Sequence, residues 1–166
     1  MKYIRFLESK DAVNMFNCLS DKDNLKYLTL GYKDYSLDDC ALFVKQQKEN
    51  TINFAVVDDN DEWSGTISLK NIDKVNKKAE FAIITDKRIQ GKGITGKAAK
   101  EVIRYAFDNL YLNKVFLNVV SDNTRAIGFY NKIGFSYIGE SRNSVLLGNT
   151  FYNLKWFELL KEDFNE

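Results

Sequence analysis

The 166-residue chain contains no histidine and no proline, and it has only two cysteines. Without histidine, Ser-His catalysis, Cys-His catalysis and metal sites with histidine ligands are excluded. Any acid–base chemistry must therefore use carboxylates, tyrosine, lysine or water. The absence of proline leaves Gly, Asn and Asp to form the turns. Cys18 and Cys40 are too few for a disulfide framework, so we expect buried thiols in a cytoplasmic protein.

A charge excess and long apolar runs are also missing. The 24 Lys+Arg residues nearly balance the 23 Asp+Glu residues, which predicts no nucleic-acid partner. No apolar run approaches the roughly 20 residues that a membrane-spanning helix needs, and the N-terminus lacks a signal-peptide core. We therefore expect no membrane partner. A hydrophobic fraction of 45% suits one folded domain over residues 1–166.

The hydrophobic periodicity predicts an α+β (mixed α/β) fold. Strands are predicted at 2–7, 52–57, 63–72, 78–84 and 115–120, with a closing hairpin at 135–147 and 150–160. Helices are predicted from Ser9 to about Leu19, at 23–28, from a Ser36 cap to about Glu49, at 97–110, and from Asn123 or Asp122 to Gly134. Short connections make strands 52–84 antiparallel neighbours, and the helix at 97–110 makes strand 115–120 parallel to strand 78–84.

Two of these helices carry a predicted apolar face. Residues at helical spacing in the first are Ala12, Val13, Phe16 and Leu19, and in the one after Ser36 they are Leu37, Ala41 and Val44. Those faces are expected to pack against the sheet.

A glycine-rich segment, Gln90 to Lys97, joins a buried strand to a long helix. It contains three glycines within six positions. A strand, a glycine turn and a helix in this order aim several backbone N–H groups and the positive end of a helix dipole at one point. The pyrophosphate of a cofactor fits such a site. Close packing of the helix is the alternative explanation for the glycines.

Two segments resemble the GNAT N-acetyltransferases. Arg88 to Gly96 resembles their motif A, whose signature is Gln/Arg-x-x-Gly-x-Gly/Ala, and Asn123 to Phe135 resembles their other hallmark. The resemblance extends over nearly the whole chain. It implies one GNAT-like domain with a central, mixed, mostly antiparallel sheet of about seven strands flanked by helices, in which strands 78–84 and 115–120 splay apart. It also implies acetyl-CoA as cosubstrate and no metal.

The glycine segment departs from this signature in one respect. Aligned on Gln90, the signature places Gly93 at its first glycine and Thr95 where Gly or Ala is usual. A β-branched residue disfavours positive φ. Either the turn keeps negative φ at Thr95, or the Thr95 hydroxyl contacts a phosphate.

The resemblance assigns two proton-transfer roles. Tyr130 matches the general acid that protonates the departing CoA thiolate, and Glu80 matches the residue that deprotonates the amine through water. Packing beside Phe129 is the alternative for Tyr130, and an ion pair with Lys77 or Lys78 is the alternative for Glu80.

The resemblance also implies a set of residues around the cosubstrate. A backbone N–H near Ala82 to Ile84 would polarise the thioester carbonyl. The residues expected at CoA are Ala82, Ile83, Ile84, Arg88, Ile89, Gln90, Gly91, Lys92, Gly93, Ile94, Thr95, Gly96, Lys97, Asn123, Ala126 and Phe129. Asn123 could instead cap its helix, and both roles are compatible. Lys92 and Lys97 could equally be solvated surface lysines.

The acceptor is the least specified part of the prediction. The resemblance implies a pocket between the first helices and the last hairpin, with Tyr32, Asp34, Tyr35 and Ser36 as acceptor residues. The branch indicated contains spermidine and ribosomal-protein N-terminal acetyltransferases. We rank small amines first, with nucleotide-linked amino sugars slightly ahead of polyamines because no acidic cluster is evident. A protein N-terminus, a non-catalytic CoA sensor and a homodimer remain open.

Overall fold

A computed structural model describes residues 2–21, 34–46 and 48–165. The strands are β1 (Ile4–Phe6), β2 (Ile52–Val57), β3 (Trp63–Asp73), β4 (Lys78–Thr85), β5 (Lys114–Val120), β6 (Ser136–Leu147) and β7 (Thr150–Leu160). The α-helices are α1 (Asp11–Leu19), α2 (Leu37–Lys45), α3 (Ile94–Asp108) and α4 (Thr124–Ile133), with short 3₁₀ turns at Lys87–Ile89 and Lys161–Asp163. The helix predicted at 23–28 lies outside the described residues.

All seven strands form one sheet, in the order β1-β2-β3-β4-β5-β7-β6. Every neighbouring pair is antiparallel except β4 and β5, which are parallel. This is the predicted mixed, mostly antiparallel sheet. The helix between β4 and β5 makes the parallel pairing possible, because parallel strands need a long crossover connection.

The parallel pair of strands separates soon after it forms. β4 and β5 pair only at Lys78–Lys114, Ala79–Val115 and Glu80–Phe116. Beyond these rungs β4 continues to pair with β3 as far as Thr85, and β5 continues to pair with β7 as far as Val120. The two strands therefore diverge into a wedge-shaped cleft, as predicted.

The sheet is covered on both faces. One face packs against α3 and α4 in a core that includes Phe54, Ile67, Phe107, Leu117 and Phe157. The other face packs against α1 and α2 in a smaller cluster. Its members are Ala12, Met15, Cys18, Cys40, Ala55, Val57 and Trp63. Fully burying a side chain of the Leu or Phe type stabilises the fold by about 1.5–3 kcal/mol, so both clusters hold the helices to the sheet.

The helix α1 differs from its prediction at its start and on its buried face. It begins at Asp11 after Lys10, with no side-chain cap, so Ser9 is not its N-cap. Ala12 is buried as predicted, but Val13 is 54% exposed. The buried stripe runs through Asp11, Ala12, Met15 and Cys18. Phe16 and Leu19 pack against the same cluster as Ala12, so Val13 is the one residue of the predicted face that points to solvent. The carboxylate of Asp11 faces the interior to meet Arg5 and adds to this buried face.

The helix α2 begins as predicted and ends earlier. Ser36 and Asp39 form a reciprocal capping box, with the Ser36 hydroxyl accepting from the Asp39 N–H at 3.1 Å. The helix ends at Lys45 and not near Glu49. Leu37 is 43% exposed, so the predicted face is only partly correct, and Cys40 is its buried residue.

The two cysteines are buried free thiols, as predicted. Burial raises the pKa of Cys18 to about 11. The thiol of Cys18 is therefore protonated at neutral pH and is a poor nucleophile. Across residues 2–21, 34–46 and 48–165, no helix has the length and apolarity to cross a membrane, and no cluster of three His, Cys, Asp or Glu residues could hold a metal.

A buried ion pair connects β1 to α1. Asp11 is 1% exposed and accepts two hydrogen bonds from the Arg5 guanidinium, both at 2.8 Å, and one from the Glu8 N–H at 2.8 Å. Arg5 also donates from Nε to Asp61 Oδ1 at 2.7 Å. The Asp11 carboxylate therefore fixes the start of α1 against the first strand.

Replacing Asp11 with Asn should lower the free energy of unfolding by about 2–3 kcal/mol, because it leaves a partly buried guanidinium without its main counter-ion. Urea denaturation measures this change. Asp61→Asn is the control: it removes an exposed partner of the same arginine and should cost much less. Equal losses from both substitutions would contradict the role given to Asp11.

Candidate active site

The glycine loop starts at Gln90, after β4 has ended at Thr85 and the chain has made the 3₁₀ turn Lys87–Ile89. Gly91 and Gly93 both have positive φ, +77° and +78°, which a residue with a Cβ adopts only with strain. Gly93 is the N-cap residue of α3, and no side chain caps this helix. The first N–H groups of α3 are therefore left for an acceptor outside the chain, and an anion such as a pyrophosphate suits them.

The position of these glycines corrects the predicted register. Thr95 and Gly96 lie in the first turn of α3, which begins three residues before the predicted start at 97, and Thr95 is not among the positive-φ residues. The two glycines of the signature are Gly91 and Gly93, aligned on Arg88 and not on Gln90. The spacing Arg-x-x-Gly-x-Gly, read from Arg88, would have found them.

Three side chains predicted to contact CoA have partners within the protein. The Ile89 side chain is 4% exposed and belongs to the core, so it anchors the loop from below. Arg88 pairs with Asp86, Nε to Oδ2 at 3.1 Å. The Lys97 ammonium lies 3.3 Å from the Tyr3 hydroxyl. Both Arg88 and Lys97 are nevertheless exposed, so Lys97 matches the surface-lysine alternative as well as a contact with the cosubstrate.

Along β4, the backbone N–H and C=O groups of successive residues point alternately towards β3 and into the cleft. The N–H of Asp86 donates to the carbonyl of Ser64 on β3 at 2.9 Å, and the β3–β4 register is continuous along this stretch. Because hydrogen-bonding directions alternate along a strand, the N–H groups of Ala82 and Ile84 also point to β3. The N–H of Ile83 points into the cleft. Of the three amides predicted near the thioester, only that of Ile83 is available.

β5 forms the opposite wall of the cleft. The N–H of Ser121 donates to the carbonyl of Asn153 on β7 at 3.0 Å. By the same alternation, the backbone N–H and C=O of Asn118 point away from β7 and towards β4. Unpaired backbone groups from Ile83 and Asn118 therefore face each other across the cleft, which suits a ligand that has amide groups of its own.

Tyr130, on α4, lies against the apex of the cleft. Its ring centroid is 6.5 Å from that of Phe81 and 6.4 Å from that of Phe157. Phe81 is the first β4 residue after the last rung, and Phe157 pairs with Leu117, the first β5 residue after it. The phenol therefore sits where the two strands part.

The environment of Tyr130 keeps its phenol protonated. The residue is 7% exposed, and burial raises its pKa to about 12. Its hydroxyl makes no hydrogen bond to another residue within the described ranges. A protonated phenol of this kind can donate to a thiolate. The ring also packs against Phe129 at 5.6 Å, so packing and proton donation are compatible roles.

Glu80 lies on the opposite face of the sheet from Tyr130. Its neighbours Ala79 and Phe81 point into the α3–α4 core, so alternation turns Glu80 towards the α1–α2 side. Its ion-pair partner is Lys70, at 2.8 Å, and not Lys77 or Lys78 as the alternative had it. Asn71 donates to its other oxygen at 2.8 Å. Both oxygens of the carboxylate are therefore held within the protein.

The residues predicted at the start of α4 divide between two roles. The Asn123 side-chain oxygen accepts from the Ala126 N–H at 3.1 Å, so Asn123 is the N-cap of α4. Ala126 and Phe129 are partly buried against the main core. The cap orients α4 so that Tyr130, two turns later, reaches the cleft.

The structure describes three of the four predicted acceptor residues. Tyr32 lies outside the described residues, and Asp34 is exposed ahead of α2. The Ser36 hydroxyl is occupied by the capping box with Asp39, so its observed role is structural.

The prediction missed four residues on the same sheet face as Glu80. Phe116 pairs in register with Glu80 on one side and with Glu158 on the other. Asn118 pairs in register with Trp156, one step further into the cleft. The alternation of β5 and β7 placed these residues on one face, and tracing that alternation along both strands would have found them.

A family model described as an acetyltransferase (GNAT) domain matches residues 3–136. The chain belongs to the GNAT acetyltransferase family. Spermidine N(1)-acetyltransferase of Escherichia coli is 38% identical over 98 residues, 59% of this chain and 53% of that protein. A Bacillus subtilis protein provisionally named as a ribosomal N-acetyltransferase, YdaF, is 35% identical over 99 residues, 60% of this chain and 54% of that protein. The chain spans about half the length of these curated relatives.

The GNAT fold is confirmed independently by solved structures. Vibrio cholerae spermidine N-acetyltransferase in complex with CoA and spermine superposes with a TM-score of 0.86 over 96% of this chain and 95% of that chain, at 24% identity. Identity at this level supports the fold alone. The predicted family and fold are therefore confirmed.

Gly93→Ala should lower the free energy of unfolding by about 1–2 kcal/mol, because alanine must adopt positive φ there, and it should weaken acetyl-CoA binding. The added methyl meets no atom within 4 Å, so the cost is conformational and not steric. Urea denaturation and calorimetric titration measure the two effects.

Gly96→Ala is the matched control. Its Cβ also meets nothing within 4 Å, but Gly96 is helical, so alanine should raise stability by about 0.5–1 kcal/mol. If both substitutions destabilised equally, the requirement for positive φ at Gly93 would be wrong.

Proposed function

We propose that this GNAT protein transfers the acetyl group of acetyl-CoA to a primary amine. The observation that carries the proposal is the cleft between β4 and β5. Its apex adjoins a protonated tyrosine, Tyr130, and its open end leads through β4 to the glycine loop. Acetyl-CoA supplies the activated acetyl group, and the chain supplies binding, orientation and proton transfer.

The residues of the cleft divide the work of binding. The N–H groups around Gly91 and Gly93 and at the start of α3 take the pyrophosphate. The backbone of Ile83 and Asn118 pairs with the amides of the pantetheine arm. The N–H of Ile83 also polarises the thioester carbonyl, because it is the unpaired donor nearest the apex on β4.

Proton transfer completes the reaction. The amine nitrogen attacks the thioester carbon, a C–N bond forms, and the C–S bond breaks. The amine loses one proton through water to Glu80, and the departing thiolate gains one from Tyr130. The two groups reach the apex from opposite faces of the sheet. The acceptor and the thiol can therefore occupy different sides of the cleft.

We propose a polyamine of the spermidine type as the acceptor. Glu80 and Glu158 flank Phe116 in one register row, so their Cα atoms are two strand spacings apart, about 10 Å. Carboxylates and an aromatic ring suit an acceptor with more than one ammonium group. Lys70 and Lys114 pair with these carboxylates at 2.8 and 2.9 Å, and both lysines are exposed enough to be displaced.

This choice reverses the slight preference of the sequence for an amino sugar. Alternation along each strand shows which of these residues share a face, but the row Glu80–Phe116–Glu158 also needs the pairing of β4, β5 and β7. Relatives named as spermidine acetyltransferases add support. Similarity to YdaF favours a protein N-terminus as the second candidate. A non-catalytic sensor has no need of the buried, protonated Tyr130.

A thiol-release assay with acetyl-CoA tests the acceptor class. We expect turnover of spermidine and spermine, because each can place two ammonium groups along the row. The panel also contains an amino-sugar nucleotide and a short peptide with a free N-terminus. Turnover of the sugar nucleotide or the peptide alone would contradict the polyamine proposal.

Tyr130→Phe and Glu80→Gln should each lower kcat by about 100-fold, because each removes one proton-transfer group. Acetyl-CoA binding, measured by calorimetry, should stay unchanged in both variants. Steady-state thiol release with the best acceptor of the panel gives kcat and KM separately.

Two controls separate proton transfer from structure. Tyr137→Phe removes the hydroxyl of an exposed tyrosine that also packs on Phe157, and it should leave kcat unchanged. Lys70→Met removes the ion-pair partner of Glu80 but keeps the carboxylate. If Lys70→Met lowered kcat as much as Glu80→Gln, Glu80 would be a structural residue and not the base.

A further inference from the structure

We infer that Asp86 is a positioning residue for the acetyl-CoA loop: its carboxylate holds the turn from which Gly91 and Gly93 leave the sheet. The inference rests on the proposed function, because it concerns how the cosubstrate site is kept in its binding geometry. Asp86 is the residue that directly follows β4.

Asp86 is bonded to the sheet on one side and to the turn on the other. Its N–H donates to the Ser64 carbonyl on β3 at 2.9 Å. Its Oδ1 accepts from the Arg88 N–H at 2.8 Å, and its Oδ2 lies 3.1 Å from Arg88 Nε. Its carbonyl accepts from the Ile89 N–H at 3.3 Å. One residue therefore ties the 3₁₀ turn Lys87–Ile89 to the end of the strand.

The 3₁₀ turn Lys87–Ile89 also contacts three other parts of the molecule. Lys87 pairs with Asp21, just after α1, at 2.7 Å. The Arg88 guanidinium donates to the Trp63 carbonyl on β3 at 3.4 Å, and Ile89 is buried in the core. These contacts keep the residues before the loop in one arrangement.

The loop itself has few restraints of its own. Gly91 and Gly93 are exposed, and glycine at positive φ is conformationally free. The N–H of Lys92 donates to the Ile89 carbonyl at 3.3 Å, so this hydrogen bond also attaches the loop to the turn. The geometry of the phosphate-binding N–H groups therefore depends on the turn that Asp86 holds. Loosening it would add an ordering cost to binding.

The sign of the effect distinguishes positioning from simple electrostatics. Asp86 is an anion next to a site for an anionic ligand, so removal of its charge alone should tighten acetyl-CoA binding. Loss of the turn should weaken binding. Asp86→Asn removes the charge but keeps a side-chain oxygen for the Arg88 N–H, whereas Asp86→Ala removes both.

Calorimetric titration with acetyl-CoA and steady-state kinetics test the inference. Asp86→Ala should raise Kd and KM for acetyl-CoA about tenfold, with kcat at saturation within about twofold of the unchanged protein. Asp86→Asn should stay within about threefold of the unchanged Kd, because the cap to Arg88 is kept.

Asp73→Ala is the matched control, because Asp73 caps the turn between β3 and β4, at the opposite end of β4 from Asp86. It accepts from the Asn76 N–H at 2.8 Å and from Asn76 Nδ2 at 2.7 Å. It should leave acetyl-CoA binding unchanged. Asp86→Ser is the second variant if Asp86→Ala does not fold. Serine has a shorter capping side chain and cannot form the ion pair with Arg88, so this variant must raise Kd for acetyl-CoA at least about threefold.

The outcomes distinguish a failure of the positioning role of Asp86 from a failure of the proposed acetyltransferase function. If the unchanged protein fails to bind acetyl-CoA, the proposed function falls and the inference falls with it. If the unchanged protein binds and Asp86→Ala binds equally well or more tightly, only the positioning role is overturned. An equal loss of binding in Asp73→Ala would also overturn it, since the effect would then reflect general destabilisation.

Discussion

The early end of pairing between β4 and β5 is the constraint on which the site depends. Three rungs hold the strands together, and beyond them each strand pairs only with its other neighbour. The cleft therefore exposes backbone donors and acceptors inside an otherwise continuous sheet. Such groups need partners, and a ligand with amides of its own can provide them.

The rest of the molecule supports the cleft and places side chains beside it. The α3–α4 core supports the cleft from one side and brings Tyr130 to its apex, while Glu80 and Phe116 occupy the other side. The glycine loop follows β4 after the short turn Lys87–Ile89, so the strand that forms one wall of the cleft also leads to the proposed anion site. The proposed binding and proton transfer thus both depend on a single break in strand pairing.

Local signals in the sequence were sufficient for much of this architecture. The Ser36 cap, the Asn123 cap and the antiparallel order of β2, β3 and β4 were predictable because they depend on residues close together in the chain. The burial of Asp11 was not, since it depends on an ion pair with Arg5 on β1 that helical periodicity does not reveal. The partner of Glu80 and the availability of the Ile83 amide were also out of reach, because both depend on strand register.

Amide hydrogen exchange at Ile83, followed by NMR with and without acetyl-CoA, tests the central claim most directly. The cleft predicts that the Ile83 amide exchanges rapidly in the free protein and is protected when acetyl-CoA binds. The amides of Ala82 and Ile84, paired with β3, should be protected in both states. Binding of acetyl-CoA without protection of Ile83 would contradict the assignment of the cleft as the cosubstrate site.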